Sequence, residues 1–297
     1  MAAAIETVRL SKSYGSSRGV LDVDLEVFTG EVFGFLGPNG AGKTTTIRVL
    51  MDFLRPTSGQ ARVLGLDSRA HRAEIHRRVG YLPGDSSFYD QLTAGEQLAW
   101  LADLRGGLPA RVIGELAERV DLDLSRRIGS LSRGNRQKVA LVQAFMHRPD
   151  LLLLDEPTSG LDPLVQEAFH QMVAEVVADG RTVFLSSHVL DEVDHLCHRV
   201  GIIREGRLTA VENVADLRSR AGRNITVRFA EDVDPAPFAA LAGVEHLEVT
   251  ARTISLRTSG DLDELMKLVA AHHVVDLVSA PPELEEIFLR YYEAAEP

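Results

Sequence analysis

The sequence predicts an α/β fold with a mainly parallel sheet, followed by a small α+β domain. Strand-like apolar runs alternate with stretches of helical spacing over residues 1–221. The order strand–helix–strand–strand–helix–strand then follows over residues 222–297, which matches a ferredoxin-like unit. We therefore expect a main domain at residues 1–221 and an accessory domain at residues 222–297.

The elements of the main domain follow from local periodicity. Residues 8–15 and 20–27 alternate as in a partly exposed sheet, whereas 31–38 form a continuous apolar run typical of a covered strand. Thr93 and Glu96 form a capping-box signature within a helical region at about 84–148. The remaining predictions are a helix at 43–54, a buried strand at 150–157, a helix at 163–178, a strand at 182–188, a helix at 189–200 and a hairpin at 200–210.

The accessory domain is predicted from shorter patterns. We expect strands at 225–230, within 246–258 as a pair, and at 274–280, with helices at 235–243 and 261–273. A last helix is predicted at 281–294. This domain would either sense a ligand or extend a dimer interface, and its fold does not decide between them.

Composition excludes several classes of protein. The chain has 297 residues, 45% hydrophobic and 25% charged, which is ordinary for a globular protein. Its net charge of −11 argues against nucleic acid as a partner, because such binding requires basic side chains that neutralise phosphates. The single Cys197 cannot form an internal disulfide, and neither a secretory leader nor a membrane-spanning apolar run is evident. We therefore expect a chain in the reducing cytosol.

A phosphate-binding loop is predicted between a strand and a helix. Residues 37–44 satisfy G-x-x-x-x-G-K-[ST] in the context that the motif requires. Backbone N–H groups of such a loop point at phosphate oxygens, and the helix dipole adds positive potential. Lys43 would bridge the β- and γ-phosphates, and the Thr44 hydroxyl would ligate Mg²⁺. The predicted nucleotide-binding residues of this loop are Gly37, Pro38, Asn39, Gly40, Ala41, Gly42, Lys43, Thr44 and Thr45.

Two carboxylates follow the buried strand LLLLDEP. Asp155 and Glu156 would lie at the carboxyl end of that strand, beside the phosphate loop. Asp155 is the predicted metal residue together with Thr44, holding Mg²⁺ through water, and Glu156 would polarise the attacking water. An Asp-Glu pair alone would more often be a solvated turn, but the phosphate loop favours the catalytic interpretation.

The segment LSRGN (131–135) predicts a helix start. Ser132 can cap the helix, and Gly134 would allow a ligand to approach the free N–H groups. Taken alone, the pattern favours an ordinary capped helix, and only the position of the segment shortly before LLLLDEP supports the functional interpretation.

Four motifs together resemble a known family. GPNGAGKTT (37–45), LSRGN, LLLLDEPTSGLDP (151–163) and SSH (186–188) are similar, in order, to the ATP-binding subunit of ATP-binding cassette (ABC) transporters, in particular the drug- and antibiotic-export branch. The resemblance covers about residues 5–215. It implies a P-loop NTPase cassette, in which the mainly parallel sheet is joined by a β-subdomain and a helical subdomain. It also implies ATP hydrolysis coupled to transport, with ATP and Mg²⁺ bound.

The resemblance adds roles to single residues. Tyr14 would stack on adenine, or simply pack on its strand, and His188 would contact the γ-phosphate and complete a catalytic set with Glu156 and Lys43. Ser132 and Gly134 would contact phosphate, and Asp162 lies in the loop 159–162 that communicates across a dimer. Asp162 before Pro163 also reads as a helix N-cap.

Two positions depart from the family pattern. The family signature reads LSGGQ, but this chain has Arg133 and Asn135 at its third and fifth positions. Arg133 would point outward or pair with a phosphate. Where the family places a glutamine or glutamate that reaches the metal and water, this chain has Gly84 followed by Asp85. That link would be absent or taken over by Asp85.

The implied partners are a second nucleotide-binding subunit, forming a homodimer, and a separate transmembrane permease, with no nucleic acid. The chain would then lie on the inner face of the plasma membrane. A docking groove is expected near residues 84–100, unless its apolar side chains Phe88, Tyr89, Leu92 and Trp100 belong to the core. The alternative function is a regulatory or low-turnover cassette that uses ATP as a dimerisation switch.

Overall fold

A computed structural model describes residues 2–15, 17–220, 222–259 and 262–280. The chain divides into two compact units, Met1–Glu212 and Asn213–Pro297. The expected division at residue 221 places the segment 213–221 in the other unit. The domain boundary at residue 221 stays a prediction. The two units are described separately below.

The first unit alternates strands and helices. Its elements are β1 (Ala3–Tyr14), β2 (Ser17–Phe28), β3 (Val32–Leu36), α1 (Lys43–Leu50), β4 (Ser58–Val63), β5 (Leu66–Asp67), α2 (Arg72–Arg78), β6 (Val79–Leu82), α3 (Ala94–Leu104), α4 (Ala110–Arg119), a 3-10 turn (Ile128–Ser130), α5 (Arg133–Phe145), β7 (Leu151–Asp155), α6 (Pro163–Ala178), β8 (Thr182–Ser187), α7 (Leu190–Leu196), β9 (Arg199–Arg204) and β10 (Arg207–Asn213).

The main sheet has the strand order β10-β9-β3-β8-β7-β6. Within this sheet, the five strands β9, β3, β8, β7 and β6 run parallel to one another. Every residue of β3, β7 and β8 is buried, as expected of parallel strands covered on both faces. The ring of Phe184 lies 5.9 Å from that of Phe33 and 5.4 Å from that of Phe35, measured between centroids. This sheet places the ends of β3, β7 and β8 side by side.

A second sheet of the first unit has the order β2-β1-β4-β5 and is antiparallel. Strand β1 has both buried and exposed residues, as expected of a partly exposed sheet, but they do not alternate strictly, because its pairing with β2 contains register shifts. The helices α3, α4 and α5 contact one another and form the helical region between β6 and β7.

The helix predicted at 189–200 is shorter than expected. It ends at Leu196, and Cys197 is already extended. The reason is tertiary, because β9 pairs with β3 from Arg199 onward and His198 accepts a hydrogen bond through Nδ1 from the Val32 N–H at 2.9 Å. Pairing with the sheet therefore overrides the helical pattern of the sequence.

The second unit contains α8 (Val214–Arg220), β11 (Arg223–Phe229), α9 (Ala236–Ala239), β12 (Val244–Thr250), β13 (Thr253–Thr258), α10 (Asp263–Ala270) and β14 (Val274–Ala280). Its antiparallel sheet has the order β12-β13-β11-β14, so the β-α-β-β-α-β sequence of elements is the expected one. Helix α9 is shorter than the predicted 235–243. The helix predicted at 281–294 lies outside the described residues.

Within the described ranges, no helix combines the length and the apolar character needed to cross a membrane.

The capping box of α3 is formed as the sequence predicts. The Thr93 hydroxyl accepts from the Glu96 N–H at 3.1 Å, and the Glu96 carboxylate accepts from the Thr93 N–H at 2.8 Å. We expect Thr93→Ala to lower the free energy of unfolding by about 1 kcal/mol, because the start of α3 loses its side-chain acceptor. Urea unfolding measures this loss. Glu96→Gln, which keeps an acceptor at that position, should lose less, and a Thr93→Ala midpoint equal to that of the wild type would contradict the role of the cap.

Candidate functional site

The phosphate loop joins the end of β3 to the start of α1. Gly42 has φ of 113°, and a Cβ there would lie 2.7 Å from the Val20 side chain, so this turn requires glycine. The N–H of Gly37 donates to the Ser187 carbonyl at 3.2 Å, which ties the loop to the end of β8. Residues 38–40 are exposed at the tip of the loop. The loop therefore presents backbone to solvent at the first turn of a helix, where anions bind well.

Lys43 lies under this loop and is only 5% exposed. Its Nζ donates to the Gly37 carbonyl at 2.6 Å and lies 3.4 Å from that of Pro38. It also forms an ion pair with Glu156, with 3.1 Å between Nζ and Oε1. The ammonium group of Lys43 is thus held between the loop and the carboxylate that follows β7.

Thr44 and Asp155 meet directly. The Thr44 hydroxyl donates to Oδ2 of Asp155 at 2.7 Å, and the Ser186 hydroxyl donates to Oδ1 at 2.5 Å. Asp155 is almost fully buried, and its negative charge adds to burial in raising the pKa of Tyr81. Oxygen atoms of this kind suit Mg²⁺, which takes one or two protein ligands and completes its shell with water and phosphate. The described residues include no group of three His, Cys, Asp or Glu side chains that could hold a metal unaided.

Glu156 connects the loop to His188. Its backbone is left-handed, with φ of 52°, and its N–H donates to the Ser186 carbonyl at 3.1 Å. One carboxylate oxygen contacts Lys43, and the other lies 2.6 Å from Nδ1 of His188. The structure thus brings the three predicted catalytic side chains Lys43, Glu156 and His188 into one connected set.

The segment 131–135 starts α5 as predicted. The Ser132 hydroxyl accepts from the Asn135 N–H at 3.3 Å and from its side-chain amide at 3.1 Å. Arg133 donates to the Ser159 hydroxyl at 3.3 Å, so its side chain turns toward the loop 158–162 of the same chain.

The structure gives a reason for glycine at position 134 that is independent of a bound ligand. A Cβ at Gly134 would lie 2.5 Å from the Gly160 carbonyl oxygen. The glycine therefore permits close approach of this chain's own backbone, whatever ligand the helix start takes. Only tertiary packing reveals this contact.

The contacts of Asp162 and Tyr14 within the described residues involve none of Lys43, Glu156 and His188. Asp162 caps α6 by accepting from the Val165 N–H at 3.1 Å, and its carboxylate is 3.8 Å from Nζ of Lys138. Asp162 is therefore the N-cap of α6, as one of its two sequence interpretations predicts. Tyr14 is exposed, with Nζ of Lys12 5.4 Å from its ring centroid, so one face of the ring is shared with a cation.

Gly84 lies against the buried carboxylate of the site. A Cβ at this position would be 3.2 Å from Oδ2 of Asp155, so a side chain there would enter the site. Asp85 is exposed, and within the described residues no hydrogen bond or ion pair joins it to Asp155. Position 84 is thus placed to reach the metal site but carries no side chain with which to do so.

Two of the four aromatic and apolar side chains expected at a docking groove are exposed. Tyr89 and Trp100 are exposed and form an edge-to-face pair with centroids 5.4 Å apart. Phe88 and Leu92 are half-buried. The core interpretation is therefore wrong for Tyr89 and Trp100, and the docking role of this segment stays a prediction.

Two residues near the site were missed by sequence reasoning. Ser186, which donates to Asp155, belongs to the SSH motif and could have been found from its position at the strand end. Glu192 lies on α7 and is only 5% exposed. A glutamate on a short helix would be expected to have a solvated side chain. No local pattern signals the burial of Glu192.

Comparisons with known proteins agree with these motifs. Residues 20–159 match the family described as "ABC transporter". The chain is 40% identical over 211 residues to the bacitracin transport ATP-binding protein BcrA of Bacillus licheniformis, covering 70% of this chain and 69% of that protein. It is 31% identical to the linearmycin resistance ATP-binding protein LnrL of Bacillus subtilis, covering 96% and 97% of the two chains. A solved ATP-binding subunit of an ABC transporter superposes with a TM-score of 0.67 at 31% identity, covering 73% of this chain and 92% of that one.

The contact between Gly134 and Gly160 can be tested by alanine substitution. We expect Gly134→Ala to lower the free energy of unfolding by about 1–3 kcal/mol, because the added methyl group collides with a backbone carbonyl. The matched control is Gly114→Ala on α4, where a Cβ meets nothing within 4 Å. That change should stabilise by up to about 1 kcal/mol through helix propensity. Urea unfolding that shifts both variants in the same direction would contradict the assignment.

Proposed function

The chain belongs to the ABC transporter family as an ATP-binding subunit, and on this premise we propose that it hydrolyses ATP to drive export of hydrophobic drugs or antibiotics through a separate transmembrane subunit. The single observation that carries the proposal is the connected set Lys43, Glu156 and His188 beside the Thr44–Asp155 pair. The direction and cargo follow from relatives named for bacitracin transport and linearmycin resistance.

Nucleotide binding would begin at the phosphate loop. The backbone N–H groups at the start of α1 would bind the phosphates, with Tyr14 stacked on the adenine. Phosphate oxygens would compete with Glu156 for the ammonium of Lys43, whose Nζ lies 3.1 Å from Oε1 of Glu156. Binding of ATP therefore both positions the phosphates and releases a carboxylate oxygen of Glu156.

Hydrolysis would use that released carboxylate. Glu156 would accept a hydrogen bond from the attacking water and take up its proton as a general base. His188, whose Nδ1 lies 2.6 Å from the other oxygen, would hold the carboxylate in orientation. Thr44 and Asp155 would hold Mg²⁺, which when bound neutralises charge developing on the phosphates.

Two copies of the chain would assemble around ATP. The start of α5, with Ser132 and Gly134, would bind the nucleotide of the second subunit, since the family places this segment across a dimer. ATP would then join the subunits, and loss of the γ-phosphate would release them. The exposed pair Tyr89 and Trp100 offers an apolar surface for the transmembrane subunit, which would keep the chain on the inner face of the membrane.

One observation favours a low-turnover cassette as the second candidate. Gly84 lies next to Asp155 without a side chain to reach the metal or water. Such a cassette would bind ATP and dimerise but turn over slowly.

Substitution of Glu156 and Lys43 separates binding from hydrolysis. We expect Glu156→Gln to lower kcat by about 10²–10⁴-fold, because the general base is lost. Its ATP affinity should equal or exceed that of the wild type, because Lys43 loses a competing partner. Lys43→Ala should weaken ATP binding by about 10–100-fold through loss of a charge-assisted hydrogen bond.

Steady-state ATPase assays and calorimetry with MgATP measure both quantities. The control is Glu74→Gln on the exposed face of α2, which should change neither. Wild-type protein that binds ATP without turnover would favour the low-turnover candidate. Unchanged kcat in Glu156→Gln would contradict the proposed base.

A further inference from the structure

Glu192 is a buried acidic residue that the proposed hydrolysis does not use. It lies in the first turn of α7, four residues after His188, and is 5% exposed. Neither of its carboxyl oxygens has a partner with hydrogen-bond geometry among the described residues. A carboxylate buried without a partner carries a large desolvation cost, so such a group needs a functional or electrostatic explanation.

Glu192 is one of the residues that line a cavity beside the catalytic set, although its two carboxyl oxygens are buried. The cavity has a volume of about 550 Å³, and Glu156, His188 and Thr158 are among its lining residues. It therefore connects Glu192 to the carboxylate that acts on water and to the loop that follows it.

The protonation of Glu192 is set mainly by burial. Burial raises the pKa of Glu192 to about 7, and the nearby charge of Glu156 acts in the same direction. The hydroxyls of Ser187 and Thr158 lie near the carboxyl without forming a hydrogen bond of good geometry, and together with the charge of His188 they lower this pKa by less than burial raises it. The protonated, neutral form is thus well populated near neutral pH.

A neutral Glu192 fits the hydrogen bonds of Ser187. The Ser187 hydroxyl accepts from the Val189 N–H at 2.9 Å and lies 3.3 Å from the Val189 carbonyl, to which it donates. Because a serine hydroxyl has one proton, its donation to the Val189 carbonyl leaves none for Glu192, whose carboxyl oxygens have no hydrogen-bond partner among the described residues. An ionised Glu192 would draw that proton away from Val189 and so disturb the turn that carries His188.

We propose that Glu192 is a positioning residue for ATP hydrolysis, which holds a proton between the His188 turn and the loop after Glu156. This inference rests on the proposed function. In the protonated state Glu192 keeps the Ser187–Val189 turn intact and adds no charge beside Glu156. In the ionised state it places a second negative charge near Glu156 and pulls on the turn, so that His188 leaves its orientation.

Other titratable groups surround this carboxyl and must be separated from it. They face it or lie near it from each neighbouring element: Glu156 after β7, Glu167 and His170 on α6, His188 after β8, Asp191 and His195 on α7, and Cys197 after α7. The difference between the pH profiles of the wild type and of Glu192→Gln reports the effect of position 192, because all the other titratable groups are present in both proteins.

Infrared spectroscopy of the full chain tests the proton directly. A group with a pKa of about 7 goes from about 90% to about 10% protonated between about pH 6 and pH 8. We expect a carbonyl-stretch band of a protonated carboxyl to fall by that amount in the wild type and to be missing in Glu192→Gln. Glu167→Gln, an exposed carboxyl on the same cavity, should keep the band. A wild-type spectrum identical to that of Glu192→Gln at both pH values would overturn the proposal.

The pH profile of turnover tests the positioning role. We expect wild-type kcat to contain a decline of about tenfold between about pH 6 and pH 8 that Glu192→Gln lacks, with similar KM for ATP in both proteins. Glu167→Gln should follow the wild type. Parallel profiles of wild type and Glu192→Gln overturn the role of Glu192 alone. So does a folded Glu192→Gln protein that is inactive at every pH.

Failure of the proposed function would look different. A wild-type chain without ATPase activity at any pH overturns the proposed hydrolysis and the positioning role with it, whether or not the infrared band of Glu192 is present.

Discussion

Two side-chain contacts join the first turn of α1 to the carboxyl end of β7, and the arrangement of the site depends on them. Lys43 pairs with Glu156 at 3.1 Å, and Thr44 donates to Asp155 at 2.7 Å. These contacts are possible because β3, β8 and β7 are parallel neighbours, so that the segments after them meet at one edge of the sheet. Ser186 lies in β8, the strand between β3 and β7, and His188 follows that strand directly. The parallel sheet therefore assembles chemistry that lies more than a hundred residues apart in the chain.

The same contacts explain how the site tolerates buried charge. Lys43 and Asp155 are both buried, and each has partners of suitable charge or polarity within hydrogen-bond distance. A buried charge without a partner would be costly, so these partners offset the cost of burying the two side chains. In the proposed mechanism, phosphate oxygens of ATP replace Glu156 as the partner of Lys43. Binding of ATP is thereby coupled to release of Glu156, the general base. Glu192 contrasts with these residues, because its carboxyl oxygens find no such partner in the described structure.

Local sequence was sufficient for the parts of the fold and site that depend on neighbours in the chain. The cassette fold is confirmed, and the capping box at Thr93 and the helix start at Ser132 are formed as predicted. The end of α7 at Leu196, the contact of Gly134 with Gly160 and the burial of Glu192 were not predicted, because each arises from packing against an element distant in sequence. The roles of Tyr14 and Asp162 in nucleotide binding stay predictions.

Binding of the nucleotide's phosphate chain by the loop at residues 37–45 and by Lys43 is the property on which the proposed function depends. It can be measured by calorimetry of the wild-type chain with a non-hydrolysable ATP analogue and magnesium, compared with AMP under the same conditions. We expect clear binding of the triphosphate and at least about tenfold weaker binding of AMP, because AMP lacks the phosphates that Lys43 would bridge. Equal affinity for the two ligands would contradict this expectation.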